Sequence, residues 1–275
     1  MSNPGDVILI GASGWIGHSV KERLPVARCI SARDLLRREL DSLRKAVSGD
    51  ARPTIVNLAT VKSGPREQMA AVNHSLVAQL AKFTTEFGGR LVQMGSAAEY
   101  GLAPGAEWVS QETRCKPTSD YGITKFAGST SALECEGGIV LRPLNVYDRP
   151  PQEGSPLADI RGRILAGVRS HQDVEVLSAG TRRDYVSRSF VAASIEWAVR
   201  NPAARGAFSV SSGYAVGVGE IAATTINLMG SDVQVADLQV FPPTTIAADP
   251  QPWGDVSGLW ERSGAPQIAA ALVEI

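Results

Sequence analysis

A chain of 275 residues is long enough for one large domain, or for one domain with a small cap over it. Lys and Arg total 27 against 28 for Asp and Glu, and the hydrophobic share of 44% is ordinary, so composition points away from nucleic acid as a ligand. Cys29, Cys115 and Cys135, like His18, His74 and His171, fall at unrelated spacings, which argues against a disulfide frame or a metal centre. No apolar run approaches the ~18 residues of a membrane span and no leader-like segment opens the chain, so the sequence predicts a cytoplasmic protein without membrane contact.

The first element is the apolar run Asp6–Val7–Ile8–Leu9–Ile10, as expected of a parallel strand covered on both faces. Gly11–Ala–Ser–Gly14–Trp–Ile–Gly17 follows at once, and a helical pattern then runs from about residue 15 to 24, where Pro25 stops it. Strand, glycine turn and helix in that order make a dinucleotide site. Glycine lets the backbone approach a pyrophosphate, and the helix N-terminus offers unpaired N–H groups and partial positive charge. Gly11, Ser13, Gly14, Trp15, Ile16 and Gly17 are therefore the candidate pyrophosphate side of the site, although the Trp15 ring itself reads as packing.

Residues 26–30 read as the second strand. In an NAD site an Asp or Glu near its end holds the ribose hydroxyls. Here Ser31, Ala32 and Arg33 stand there, with Asp34 further on. Arg33 suits a 2′-phosphate and Ser31 can hydrogen-bond it, which favours NADP(H) and leaves NAD(H) as the alternative. A helix is predicted over 34–47, a buried strand over 54–59, a long helix over 66–87 ended by Gly88–Gly89, and a strand over 90–94. A helix from about 121 to 136 and a strand over 138–142 follow. This alternation predicts an α/β chain with a doubly wound parallel sheet.

After Pro143 the texture changes. Residues 148–155 read as a mobile loop, 160–168 and 190–200 as helices, 208–213 as a strand returning to the sheet, and 220–229 as a helix, with a proline-rich tail. The expected division is a dinucleotide-binding domain of residues 1–147 with 182–213, and a smaller, discontinuous C-terminal substrate-binding region of 148–181 with 214–275.

Within Asp120–Tyr121–Gly122–Ile123–Thr124–Lys125, the tyrosine and the lysine sit one helical turn apart on one face. A free tyrosine, with a pKa of roughly 10, is a poor acid or base near neutrality. An ammonium beside it is expected to favour the phenolate and pull that pKa down, so that the pair can exchange a proton at working pH.

Taken together, the glycine turn, Asn57–Leu–Ala, Gly95–Ser96–Ala–Ala–Glu–Tyr100–Gly101, Tyr121–Gly–Ile–Thr–Lys125, Leu141–Arg142–Pro143–Leu144–Asn145–Val146–Tyr147 and Arg183–Asp184–Tyr185–Val186 resemble the extended short-chain dehydrogenases/reductases that modify nucleotide-linked sugars. The resemblance runs from residue 6 to about 213. It implies a Rossmann fold, with Tyr121 as catalytic acid/base, Lys125 binding the nicotinamide ribose and tuning Tyr121, and Ser96 hydrogen-bonding the reacting oxygen. It also implies that Leu58, Ala59 and Thr60 contact the cofactor, and that Asn73 helps to position the lysine through backbone contacts. Ala97, Asn145 and Arg183 are implied on the substrate side, the last two reaching the sugar-nucleotide phosphates. A homodimer through the long helix and the Tyr121 helix is implied too.

Departures from the family pattern narrow the class. Dehydratases of this family carry an acidic pair after the Ser/Thr, where this chain has Ala97 and Ala98; Glu99 comes one place too late. Asp148 replaces a usual glycine, Arg188 sits where a small or apolar residue is common, and Ser189 and Phe190 replace an acidic pair. The reading these favour is an NADP(H)-dependent ketoreductase of a nucleotide-activated deoxysugar. The alternatives are a nucleotide-sugar epimerase with tightly bound NAD, a reductase of another small carbonyl, and a non-catalytic dinucleotide-binding protein.

Overall fold

The computed structural model describes residues 7–24, 28–37, 40–47, 52–101, 106–110, 112–240 and 242–273. Thirteen strands occur among them: β1 (Val7–Ile10), β2 (Arg28–Ile30), β3 (Thr54–Asn57), β4 (Arg90–Met94), β5 (Ala106–Val109), β6 (Ile139–Pro143), β7 (Asn145–Tyr147), β8 (Val174–Val176), β9 (Arg182–Ser187), β10 (Gly206–Val210), β11 (Ala215–Gly217), β12 (Val235–Asp237) and β13 (Thr245–Ala248). Six of them make a wholly parallel sheet in the order β10-β6-β4-β3-β1-β2. The fold is therefore the doubly wound α/β architecture that the alternation of elements predicts.

The apolar strands face two ways, and their residues divide with period two. Val7, Leu9, Val56, Val92, Ile139 and Leu141 pack on one face, under the Trp15–Arg23 and Arg188–Arg200 helices. Ile8, Ile10, Ile55, Leu91 and Val140 pack on the other, with Leu76, Leu80 and Phe83 from helix 66–86 and Ala132 from the Asp120–Leu133 helix. A third core lies in the C-terminal region, where Leu157, Ile160, Val174, Ile221 and Ile268 meet. Arg90, 5% exposed at the start of β4, joins the sheet to the Arg188–Arg200 helix. Its guanidinium donates to the carbonyls of Ala198, Asn201 and Ala204 at 2.7, 2.9 and 2.9 Å, closing a helix end that would otherwise lack donors.

The strand order reverses between β1 and β3, whose register pairs Ile10 with Asn57, so both strands end at the same level. That reversal leaves a crevice beyond their carboxyl ends. Gly11 sits at its floor with φ +85°, and a Cβ there would lie 2.8 Å from the Ala59 nitrogen, so the turn takes glycine for both conformation and space.

Several boundaries differ from the sequence reading. Strand β9 does not join the large sheet. It pairs with β11, β13 and β7 in a smaller mixed sheet, which β5 also enters beside β13. The chain thus crosses into the smaller region as early as residue 106, and the segment 182–187, expected in the dinucleotide-binding domain, belongs to the second sheet. The short segment Arg182–Ser187 carries no local pattern that says which sheet it joins. The predicted helix over 34–47 is two short ones, Ala32–Arg37 and Asp41–Ala46, with Leu40 at φ 67° before the second. The tail forms β12, β13 and the Gln251–Ser257 and Ala265–Leu272 helices. Asp6, residues 25–27 and residues 48–50, which the sequence reading places at element ends, lie outside the described residues.

Candidate active site

A cleft of about 1060 Å³ opens over the carboxyl ends of β1, β3 and β4. At one end lie the glycine turn of residues 11–17, Ser31 and Arg33; at the other lie Met94, Ser96, Tyr121, Lys125 and Asn145. Leu58, Ala59 and Thr60 line the wall between.

The reacting end is built from three elements. Ser96 follows β4 and caps the short helical turn Ala97–Tyr100, its hydroxyl accepting from the Ala98 nitrogen at 3.2 Å. Glu99, fully buried, accepts the Ser96 backbone N–H at 2.9 Å, the Ser129 hydroxyl at 2.8 Å and the Arg142 guanidinium at 2.7 Å. Helix Asp120–Leu133 is started by Ser119, whose hydroxyl accepts from the Gly122 nitrogen at 3.1 Å, and it runs against the same turn. A Cβ at Gly122 would lie 2.4 Å from the Ala98 carbonyl, so glycine is what allows Tyr121 to approach Ser96.

Lys125 is 2% exposed and donates to the Met94 carbonyl at 2.5 Å. Behind it, Gln93 donates to the same carbonyl at 2.7 Å and accepts from Asn57 at 2.9 Å, so the ends of β3 and β4 are tied beneath the lysine. Burial pushes the Lys125 ammonium down to about 8, opposed by the Glu99 charge.

Tyr121 does not behave as its spacing from Lys125 suggests. Burial pushes its phenol up from the usual tyrosine value. Hydrogen bonding with Ser96 and Thr60 opposes that rise, and the Glu99 charge adds to it. The expected lowering by the lysine is overturned because desolvation dominates and the ammonium is turned to the Met94 carbonyl. At neutral pH Tyr121 therefore keeps its proton, and its hydroxyl is hydrogen-bonded to those of Ser96 and Thr60.

Asn73 sits in a π-helical turn, Ala71–Ser75, of the long helix and is fully buried. Its side chain, rather than its backbone alone, ties three parts together. It accepts from the Val61 nitrogen at 2.9 Å and the Thr60 hydroxyl at 3.2 Å, and donates to the Val61 carbonyl at 2.8 Å and the Thr124 hydroxyl at 3.1 Å. It therefore stands behind the cleft wall, bonded to Thr124, the lysine's neighbour in sequence, and does not line the cleft. Ala97 and Arg183 do not line it either. Arg183 donates to the carbonyls of Arg182 and Thr244, at 2.9 and 3.0 Å. Asn145 does line the cleft and donates to the Asp184 carbonyl at 2.9 Å. Lys62, Gln152 and Tyr185 line it as well and were missed from the sequence. Lys62 and Gln152 belong to loops whose approach to one another no local pattern records, whereas Tyr185 lay within a motif already quoted.

The residues present fit a dinucleotide. Glycine at 11 and 17 lets the turn close on itself and on the end of β3, the nine-residue Trp15–Arg23 helix aims its N-terminus into the cleft, and the far end carries Ser31 and Arg33. Fold and cleft together define a dinucleotide-dependent enzyme. Residues 7–211 match the model of the NAD dependent epimerase/dehydratase family, and the chain belongs to that family; it is an NAD(P)-dependent oxidoreductase of the extended short-chain dehydrogenase/reductase type.

Solved structures with the same fold include the Bordetella bronchiseptica enzyme WbmG in complex with NAD and UDP (TM-score 0.80, 20% identity, covering 98% of this chain and 93% of that one). RMD from Pseudomonas aeruginosa complexed with NADPH is similar at TM-score 0.80 and 18% identity, covering 97% of each chain. MoeE5 in complex with UDP-glucose and NAD matches at TM-score 0.73 and 25% identity, covering 98% and 97%. No curated protein matches the sequence. Among the described residues no helix is long and apolar enough to cross a membrane.

Proposed function

We propose that the protein is an NADP(H)-dependent ketoreductase acting on a keto group of a nucleotide-activated deoxysugar. The observation that carries this reading is that no aspartate or glutamate is among the described residues lining the cleft. Elimination of water needs an acid and a base at neighbouring carbons. Here the first acid after Ser96 is Glu99, turned away into its pair with Arg142. Net reduction needs one proton donor, and Tyr121 supplies it. The same absence at the adenosine end removes the carboxylate that would hold a free ribose diol and leaves Ser31 and Arg33 for a 2′-phosphate.

When bound, the reduced nicotinamide supplies the hydride. Ser96 polarises the carbonyl, Tyr121 delivers the proton to its oxygen, and the Lys125 charge favours the phenolate left behind. Asn145 is the substrate-side polar group of the cleft. Complexes of similar folds with UDP and UDP-glucose support a nucleotide-sugar as the substrate class.

The test follows reduced-nicotinamide absorbance with a nucleotide 4-keto-6-deoxyhexose, together with calorimetric binding of NADPH and NADH. Consumption of NADPH, a preference for NADPH that Arg33→Ala lowers by roughly 10- to 100-fold, and loss of ~10²–10⁴ in turnover with near-wild-type cofactor affinity in Tyr121→Phe are the expected results. NAD retained through purification, with product formed at no net cofactor cost, would overturn the reductase in favour of an epimerase.

A further inference from the structure

Two of the positions at which the chain departs from the family pattern around the C-terminal motifs, Asp148 and Arg188, meet in the structure. The Arg188 guanidinium pairs with the Asp148 carboxylate, and both side chains are about three-quarters covered, at 24% and 27% exposure. The same guanidinium donates to the Trp15 carbonyl at 3.2 Å and lies over the Trp15 ring at 5.0 Å. Trp15 opens the helix whose N-terminus faces the cleft. Asp148 begins the 148–155 loop, whose Gln152 and Ser155 line that cleft. Further along the loop, Gln152 accepts from the Lys62 ammonium at 3.0 Å, on the chain that leaves β3. The loop is thus tied to both sides of the crevice between β1 and β3, once through Arg188 and once through Lys62.

We propose that Arg188, held by Asp148, is a positioning residue that fastens this loop to the dinucleotide turn and so sets how long the dinucleotide is retained. The proposal rests on the chain's being NAD(P)-dependent and not on the reductase reading. A single ion pair at an open surface would carry little. Here one guanidinium reaches a carboxylate, a backbone carbonyl and an indole face, and its planar fork is what makes all three contacts at once.

The experiment is stopped-flow displacement of bound NADPH, and separately of bound NADH, by excess oxidised cofactor, read by nicotinamide fluorescence in the absence of substrate. Arg188→Met and Asp148→Asn should each raise the dissociation rate about tenfold, and the double variant should raise it no further. Arg188→Lys, which keeps the charge and loses the fork, should fall between Met and the wild type. Hydrogen exchange of the cofactor-free protein should speed up in residues 148–155 of the same variants while β1 and β3 stay protected. Dissociation rates within twofold of the wild type in all three single variants would overturn the proposal. So would additive effects in the double variant, or a uniform loss of protection in Arg188→Met and Arg188→Lys alike. A slow-exchanging strap found together with no turnover on any keto sugar would sink the reductase and leave this inference standing.

Discussion

Replacing Glu99 with Gln removes one charge from a fully buried cluster and changes its shape little. The carboxylate takes hydrogen bonds from the Ser96 N–H, the Ser129 hydroxyl and the Arg142 Nε, all between 2.7 and 2.9 Å. An amide offers a single oxygen, so its NH₂ must face one of these donors. Arg142, 7% exposed and stacked over the Tyr100 ring at 5.3 Å, then keeps a buried charge without its counter-ion. Breaking a buried pair in this way costs about 3–5 kcal/mol, which for a chain of this size lowers the melting temperature by roughly 10 °C. Urea and thermal unfolding of the cofactor-free E99Q, R142M and double variants would measure it. The double variant, with both charges gone and volume kept, should recover most of the loss, to within ~1–2 kcal/mol of the wild type. An E99Q variant within about 1 kcal/mol of the wild type, roughly the spread of ordinary substitutions, would refute the claim that this pair anchors the serine turn. So would a double variant as unstable as both singles combined. The same substitution removes the negative charge that favours the Lys125 ammonium, so the basic limb of activity should move to lower pH.

Three further outcomes follow from the buried cations. Lys125 is pushed down to about 8 by burial, so the kcat/KM of carbonyl reduction should be level below neutrality and fall as pH rises through that value, where the ammonium is lost; a profile flat to pH ~10, the ordinary lysine range, would contradict the buried position. The linkage has the same origin: a lysine whose folded pKa is depressed binds fewer protons folded than unfolded, so its penalty on stability is relieved as pH rises from about 8 towards the unfolded value. Arg90→Ala should destabilise by ~3 kcal/mol, since three carbonyls at the end of the Arg188–Arg200 region lose a charged donor. Chemical unfolding checks it, and a change below 1 kcal/mol, roughly the worth of one ordinary hydrogen bond, would show that water replaces the guanidinium.

The sheet and the cofactor end of the cleft were legible because they rest on short-range patterns. An apolar run such as Val7–Ile10 has one stable use, a strand covered on both faces, and a glycine turn directly after it leaves backbone N–H groups facing the crevice. Tyr121 and Lys125 were legible for the same reason, since helical spacing puts them on one face. The second sheet was less so. Strand β9, polar at Arg182–Asp184 and apolar only at Tyr185 and Val186, lacks the continuous apolar run of the large-sheet strands; it joins β7, β11 and β13, partners chosen by a tertiary arrangement that no window of the sequence contains.

What stayed hidden was depth and partnership. Spacing told which face Tyr121 and Lys125 share, but the sign of the Tyr121 shift depends on how much water reaches the phenol and on where the ammonium points. The structure puts the ammonium on Met94 and leaves the phenol half-buried at the cleft wall, which reverses the expectation. The departures Asp148 and Arg188 looked like two separate losses of family character, forty residues apart. In space each is the other's partner, and Trp15, read as mere packing, is the third member. Glu99 shows the same logic at the centre of the site. Its place one residue late argued against it as a dehydratase acid, and the structure adds a physical reason: the carboxylate is fully buried, holds Ser96 from behind while paired with Arg142, and does not line the cleft.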